Sequence, residues 1–194
     1  MSATVGVLAL QGDFAAHAAA LGRVGAASLE VRHPGDLSGL AGLVLPGGES
    51  TSMLRLMEGG AWFEALRLFA EGGGALFGTC AGAILLATRV VPAQACLGLL
   101  DVDVERNAYG RQRDSFEADL ASALASPLRG TFIRAPRFQR LGPGVETLAE
   151  LDGEPVLVEQ GRVMAATFHP ELAGAGVSPV YASFLRLSLG VTPV

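Results

Sequence analysis

One cysteine lies at the centre of a small-residue motif, Gly78-Thr79-Cys80-Ala81-Gly82. An apolar run at 75–77 precedes the motif and a helical pattern follows it, so the sequence predicts a strand, a sharp turn and a helix, with Cys80 on the turn. Exposed amides at the start of a helix favour a thiolate, and the amide of Ala81 is placed to donate to an oxyanion. The motif predicts a nucleophilic cysteine, although a core cysteine in a strip of small residues gives the same pattern.

Three histidines are candidates for the base that would activate this thiol: His17, His33 and His169. His169 is the best of them, because Phe168-His169-Pro170-Glu171 follows an apolar run and places a carboxylate two residues on, on the same side of an extended chain. Glu171 would orient the imidazole and stabilise its cation. His33 stands before a proline in a loop and is expected at the surface. His17 lies one turn into the first helix, and the sequence leaves it open as a base.

A glycine pair follows another predicted strand, in Pro46-Gly47-Gly48-Glu49-Ser50. Paired glycines at this point expose backbone amides toward a ligand bound at the carboxyl ends of the strands. Gly48 is therefore a candidate for a second oxyanion donor. The alternative is a simple turn, in which Ser50 caps the next helix and the helix dipole favours Glu49. Both interpretations can hold at once.

Two arginines are candidate ligands for the carboxylate of an amino acid, because a guanidinium binds a carboxylate through two parallel hydrogen bonds. They are Arg106, in the segment 105–112, and Arg134, in the segment 132–136. For both, a surface arginine without a ligand is the alternative.

Short apolar runs alternate with helical patterns in the first half of the chain, which is typical of a parallel sheet with helices on both faces. The predicted strands there are 5–10, 29–31, 42–45 and 75–77, and the predicted helices are 13–24, 50–57, 62–71 and 81–87. The second half reads as strands 102–105, 116–120, 131–134, 156–159 and 163–168, with hairpin turns at 152–153 and 160–161, and a last helix at 178–189. We expect one α/β domain over 1–194, with a mostly parallel central sheet and a partly antiparallel C-terminal half.

The composition excludes several classes of function. The net charge is −5 and no basic run occurs, which argues against a nucleic-acid partner. All fourteen basic residues are arginine, so the chain has neither a P-loop lysine nor a lysine for Schiff-base chemistry. No metal-ligand cluster, dinucleotide fingerprint, signal peptide or membrane span is predicted. Two cysteines, Cys80 and Cys96, make a poor disulfide framework and favour a reduced, cytoplasmic setting.

In this order, the motifs resemble the class I (triad) glutamine amidotransferases, and within that family the glutaminase subunits of pyridoxal 5′-phosphate synthase. The resemblance covers nearly the whole chain. The cysteine on a sharp strand–turn–helix elbow and the distant His-Pro-Glu are shared by the whole family, whereas other segments point to these particular subunits. The segments that match are 10–13, 46–51, 78–82, 106–112, 114–117, 132–136 and 168–171.

The resemblance implies roles for individual residues and for a partner. Cys80 would be the nucleophile and His169 and Glu171 would complete the triad, with L-glutamine as substrate and no cofactor. The glutamine contacts that it implies are Gly47, Gly48, Glu49, Arg106, Ile133 and Arg134. Gln11 corresponds to a residue that responds to docking of a separate synthase subunit, which receives the ammonia and builds pyridoxal 5′-phosphate. The missing lysines fit this division, because the imine chemistry then belongs to the other chain.

Two other functions are compatible with parts of the pattern. The first is another glutamine-hydrolysing enzyme with the same triad, either the subunit of a different amidotransferase or a gamma-glutamyl hydrolase. The second is a sensor or chaperone without enzymatic activity, in which the elbow cysteine is redox-active. The His-Pro-Glu sequence argues against the second, because proteins of that sort usually lack such a partner for the cysteine.

Overall fold

Twelve β-strands and five α-helices occur in the residues that the computed structural model describes, which are 4–110, 115–124, 127–174 and 176–191. The strands are β1 (Thr4–Leu8), β2 (Ala27–Val31), β3 (Gly42–Leu45), β4 (Ala75–Thr79), β5 (Ala87–Val91), β6 (Leu100–Glu105), β7 (Phe116–Ser122), β8 (Leu128–Phe132), β9 (Arg137–Leu141), β10 (Glu146–Leu151), β11 (Glu154–Gln160) and β12 (Val163–Ala166). The helices are α1 (Phe14–Arg23), α2 (Ser50–Met57), α3 (Trp62–Glu71), α4 (Ala81–Leu86) and α5 (Pro179–Leu189).

Nine of these strands form one mixed sheet in the order β2-β1-β3-β4-β12-β11-β10-β7-β8. The five strands from β2 to β12 are parallel, in the order typical of flavodoxin-like folds. The four remaining strands are antiparallel, and hairpins at the predicted turns join β10 to β11 and β11 to β12. A smaller sheet has the order β5-β6-β9. The predicted fold class is confirmed.

Both faces of the parallel half are covered, which explains why its strands are continuous apolar runs. Along β3, Leu43 and Leu45 pack into one core cluster with α2, α3 and α4, while Val44 packs into the other with α1 and α5. This alternation follows from the two-residue period of a strand. Asp13 caps α1 as the sequence predicts, because its carboxylate accepts a hydrogen bond from the amide of Ala16 at 3.1 Å.

Several predicted elements of the second half are wrong or incomplete. The sequence does not predict β5, β9 or β10; in β5 the residues Thr88 and Arg89 are both exposed, so no apolar alternation marks it. In β10 the register shifts between Thr147 and Ala149, and this breaks the two-residue period. The predicted strand 131–134 ends at Phe132, because Arg134 has a φ of 45° and leaves the extended conformation.

No helix in the described part of the chain is long and apolar enough to cross a membrane.

Candidate active site

Cys80 lies on a sharp turn between β4 and α4, as predicted for an elbow. Its φ is 47°, in the left-handed region that side-chain-bearing residues rarely adopt. The flanking glycines are required by close packing: a Cβ on Gly78 would lie 2.5 Å from the carbonyl group of Gly82, and one on Gly82 would lie 2.0 Å from the Leu45 oxygen. Ala81 is the first residue of α4, where backbone N–H groups have no intrahelical acceptor. The turn thus places Cys80 directly before the first backbone amides of α4.

His169 and Glu171 follow β12, the strand next to β4 in the sheet. The amide of His169 donates to the Thr131 oxygen at 2.8 Å, which fixes the chain where it leaves the sheet. Nδ1 of His169 lies 2.7 Å from Oε1 of Glu171. Pro170 begins a single 3₁₀ turn that brings the two side chains together. The structure therefore forms the imidazole–carboxylate pair that the sequence predicts.

The pKa values of this pair favour a charged imidazolium and a charged carboxylate. Burial alone would lower the pKa of His169, but hydrogen bonds to Cys80 and Glu171 outweigh it and raise this pKa to about 10. Burial alone would raise the pKa of Glu171, but the hydrogen bond from His169 and the neighbouring His17 lower it. A thiol beside an imidazolium that a carboxylate holds in place is the arrangement of a nucleophilic triad.

The glycine loop after β3 packs directly on this triad. A Cβ on Gly47 would lie only 2.5 Å from Cε1 of His169, so no larger residue fits without moving the imidazole. Gly48 has a φ of 131°, which favours glycine. The side chain of Gln11 contacts the same loop: Oε1 accepts from the Glu49 amide at 3.2 Å, and Nε2 donates to the Gly47 oxygen at 3.5 Å.

A pocket of about 180 Å³ opens beside Cys80. Glu49 lies within it, with its carboxylate 3.7 Å from Nη2 of Arg106 and 3.8 Å from Nη1 of Arg134. The Ile133 oxygen lies 4.0 Å from Sγ of Cys80. The residues that line the pocket are Gly48, Glu49, Ser50, Cys80, Ile84, Arg106, Asn107, Ile133, Arg134 and His169.

The structure thus brings most of the predicted site residues to one place, at the carboxyl ends of the parallel strands. Gly47, Ala81 and Glu171 do not line the pocket themselves but are bonded or packed to residues that do, and Gln11 contacts the glycine loop. The segment that carries Arg106 is predicted to continue to Gln112, and 111–114 lie outside the described residues. The functional role of each residue stays a prediction.

Three pocket residues were not predicted as site residues: Ile84, Asn107 and Ser50. Ile84 stands four residues after Cys80, about one turn along α4, so helical spacing alone indicates that it faces the same side. Asn107 has a φ of 53°, a conformation in which asparagine is enriched, but its position after Arg106 gave no separate signal. Ser50 does not cap α2; that position belongs to Glu49, whose carboxylate accepts from the Thr51 amide at 3.4 Å.

The remaining histidines have different environments. His33 is exposed, as predicted. His17, which the sequence leaves open as a base, is fully buried and does not line the pocket. Its Nε2 atom lies 3.4 Å from Oε1 of Glu171, the same oxygen that contacts His169.

An elbow cysteine with a histidine and a glutamate, on a flavodoxin-like sheet, defines a cysteine hydrolase of the triad class. The model of the SNO glutamine amidotransferase family matches residues 7–188. The chain belongs to this family.

Curated relatives and a solved structure agree with this assignment. The pyridoxal 5′-phosphate synthase subunit PdxT of Deinococcus radiodurans is 56% identical over 177 residues, which cover 87% of this chain and 90% of the relative. The protein of the same name from a strain of Thermus thermophilus is 55% identical, over 89% of this chain and 92% of the relative. A crystal structure of a glutamine amidotransferase superimposes with a TM-score of 0.87 at 51% identity, over 95% of this chain and 98% of that one.

Proposed function

We propose that this chain is the glutaminase subunit of a pyridoxal 5′-phosphate synthase: it hydrolyses L-glutamine to L-glutamate, and the ammonia passes to a separate synthase subunit. The observation that carries the proposal is that Cys80 and His169 line a pocket that also holds two arginines and a carboxylate, while Glu171 contacts His169 from outside that pocket. The relatives that are more than half identical are named as subunits of that synthase.

The proposed reaction has two stages. The Cys80 thiolate attacks the amide carbon of glutamine, and the backbone amides of Gly48 and Ala81 stabilise the oxyanion. The C–N bond breaks as the His169 imidazolium donates a proton to the leaving nitrogen, which departs as ammonia. His169 then takes a proton from water, whose oxygen attacks the thioester; the C–S bond breaks, and glutamate and the thiolate are released.

The charged residues of the pocket suit the two charged groups on the α-carbon of glutamine. Arg106 or Arg134 provides a guanidinium for the α-carboxylate, and Glu49 provides a carboxylate for the α-ammonium. Burial alone would raise the pKa of Glu49, but the hydrogen bonds from Thr51 and the charges of the two arginines lower it, so this residue is charged when the substrate arrives. Gly47 and the backbone of Ile133 complete the proposed contacts.

The partner is proposed to act through Gln11. Because this side chain bonds both the Gly47 oxygen and the Glu49 amide, a movement of Gln11 changes the orientation of the peptides that include the proposed oxyanion donor. Gln11 follows β1, on the same edge of the sheet, and docking of the synthase subunit there would reach the loop directly. A cytoplasmic location fits the two thiols, Cys80 and Cys96, which are both free.

A glutamine analogue with an electrophilic diazoketone in place of the amide tests the nucleophile and the pocket together. We expect the analogue, added with a synthase subunit from a close relative, to alkylate one cysteine, Cys80. Mass spectrometry of the peptides locates the adduct, and excess glutamine should prevent it. Cys96, half-buried with its sulfur 3.5 Å from the Thr88 oxygen, is the internal control. Equal labelling of Cys96, or labelling that glutamine does not reduce, would contradict the proposed site.

Gly47→Ala should lower kcat for glutamine hydrolysis about a hundredfold, the effect of displacing a reacting group by about 1 Å. The added Cβ would lie 2.5 Å from Cε1 of His169 and 3.3 Å from Cβ of Cys80, so the imidazole must move. Steady-state kinetics measure the change. Gly22→Ala, on α1 with nothing within 4 Å of its added Cβ, is the control and should keep normal activity. A kcat for Gly47→Ala within about threefold of the unmodified chain would show that the loop is not coupled to His169.

A further inference from the structure

A second buried histidine, His17, lies against the triad carboxylate. Nε2 of His17 lies 3.4 Å from Oε1 of Glu171 and 3.4 Å from Oγ1 of Thr79. Nδ1 of the same ring is hydrogen-bonded to the hydroxyl of Tyr181 on α5. Both His17 and Tyr181 have no exposed surface, and neither lines the pocket. Any effect of this pair on the reaction must therefore be indirect, through Glu171 or through Thr79, the residue before Cys80.

The contacts of His17 decide which of its nitrogens carries the proton. A carboxylate next to Nε2 favours an N–H at that position. Nδ1 is then an acceptor, and the Tyr181 hydroxyl donates to it. Burial lowers the pKa of His17 and raises the pKa of Tyr181, so the imidazole and the phenol are both neutral at physiological pH. The donors consequently run in one direction, from Tyr181 to His17 and from Nε2 of His17 toward the Thr79 hydroxyl and the Glu171 carboxylate, each at 3.4 Å.

Glu171 depends on these donors because it is a buried anion with few other partners. Both imidazoles contact its Oε1 atom: Nδ1 of His169 lies at 2.7 Å and Nε2 of His17 at 3.4 Å. Its Oε2 atom is buried and, among the described residues, has no hydrogen-bond partner on another residue. A buried charge is costly unless neighbouring dipoles and hydrogen bonds compensate for it. Without His17, the carboxylate would keep only the backbone amide of Glu171 itself and His169, the residue that it has to orient.

We infer that His17 and Tyr181 are positioning residues for glutamine hydrolysis: Tyr181 fixes the tautomer of His17, and His17 holds the Glu171 carboxylate in place for His169. The inference rests on the proposed function and extends it to two residues outside the pocket. It differs from a role in packing α1 against α5, because packing would affect folding stability without changing the protonation of the triad.

The test compares His17→Leu, which removes the donor, with His17→Gln, whose amide N–H reaches a similar position, and with Tyr181→Phe, which removes only the hydroxyl. We expect His17→Leu to lower kcat about ten- to a hundredfold, the range seen when a supporting partner of a metal ligand is lost. KM should change little, since the pair does not contact the substrate. His17→Gln should recover most of the loss, and Tyr181→Phe should show a smaller fall.

The pH dependence separates positioning from packing. The Nε2 N–H of the neutral His17 lies 3.4 Å from the carboxylate, and its dipole favours the charged form of Glu171. Removing His17 therefore raises the pKa of Glu171, and the carboxylate is neutralised at higher pH. A neutral Glu171 no longer stabilises the His169 cation beside the thiolate. The rate at which iodoacetamide alkylates Cys80, followed on the Cys80 peptide, falls at low pH as the thiolate is protonated. This acidic limb of the pH profile should therefore move to higher pH in His17→Leu. The other charged groups around His17 and Tyr181 are Asp13 and Arg23, which all variants keep.

Ser188→Ala is the control, because it removes a buried hydroxyl from the same helix, α5, where Ser188 donates to the Phe184 oxygen at 2.9 Å. It should keep normal kcat and an unshifted acidic limb. A folded His17→Leu variant with normal kcat, or one with a lower melting temperature and an unshifted limb, overturns the inference. If His17→Leu does not fold, kcat and the acidic limb of Cys80 alkylation are measured on Tyr181→Phe instead. Phenylalanine has nearly the volume of tyrosine, so these two measurements then decide the question.

The alkylation experiment does not depend on glutamine turnover. If the unmodified chain with the synthase subunit releases no ammonia, the proposed function is wrong, and the limb of the His17→Leu variant still tests the positioning role. If ammonia is released and the limb does not move, only the positioning role is wrong.

Discussion

Cys80→Ala should reduce glutamine hydrolysis by at least about 10⁴-fold, the loss expected when the nucleophile of a triad is removed. The alanine variant keeps the Cβ, and its backbone conformation at the turn is the same strained one, with φ near 47°. No other described residue that lines the pocket is a cysteine. The remaining pocket can still bind glutamine but cannot form the thioester. The measurement is ammonia release in the presence of the synthase subunit.

Cys96→Ala is the matched control for that experiment. Cys96 is the other free cysteine of the chain, and burial raises the pKa of its thiol, which disfavours a reactive thiolate. We expect this variant to retain full activity. Substantial ammonia release by a folded Cys80→Ala variant would mean that the nucleophile has been assigned to the wrong residue.

Glu171→Gln should lower kcat by about 10³- to 10⁴-fold, as expected when the acid of a triad becomes an amide. The amide N–H₂ of the glutamine can donate to Nδ1 of His169, which favours the tautomer with its proton on Nε2. The positive charge that the carboxylate stabilises on His169 is then lost, and with it the partner of the Cys80 thiolate. Steady-state kinetics give kcat, and melting curves confirm that the variant is folded.

Glu159→Gln provides the control for the change from acid to amide. Glu159 lies on β11, where burial and the neighbouring Glu146 raise the pKa of its carboxyl, and it does not line the active-site pocket. Its replacement should leave kcat unchanged. If Glu171→Gln also stays within about threefold of the unmodified chain, Glu171 does not orient His169 during the reaction.

Local patterns predicted the parallel half of the fold and the elements that carry the site. The helices α2 and α3 and the strand β3 have the predicted bounds. The helices are marked by apolar residues at helical spacing, and β3 is marked by a continuous apolar run between Gly42 and Pro46. Cys80, Gly48 and His169 meet at one pocket because each follows a parallel strand, and parallel strands end on the same edge of the sheet.

The rest depends on tertiary contacts that a local pattern does not encode. Arg134 enters the pocket because the chain leaves β8 in a left-handed conformation, whereas the sequence predicts that a strand continues through it. The environment of His17 was equally hidden, since its partners Glu171 and Tyr181 are more than 150 residues away along the chain. One histidine in an apolar helix gives no indication of which carboxylate it will meet.

The most direct test of the central claim is ammonia release from L-glutamine by the unmodified chain, measured alone and with the synthase subunit of a close relative. We predict release that requires Cys80 and rises when the synthase subunit is added, because docking acts on the loop that Gln11 holds. Release that the synthase subunit does not change would keep the triad and point to a different acceptor enzyme. No release under either condition would contradict the proposed function.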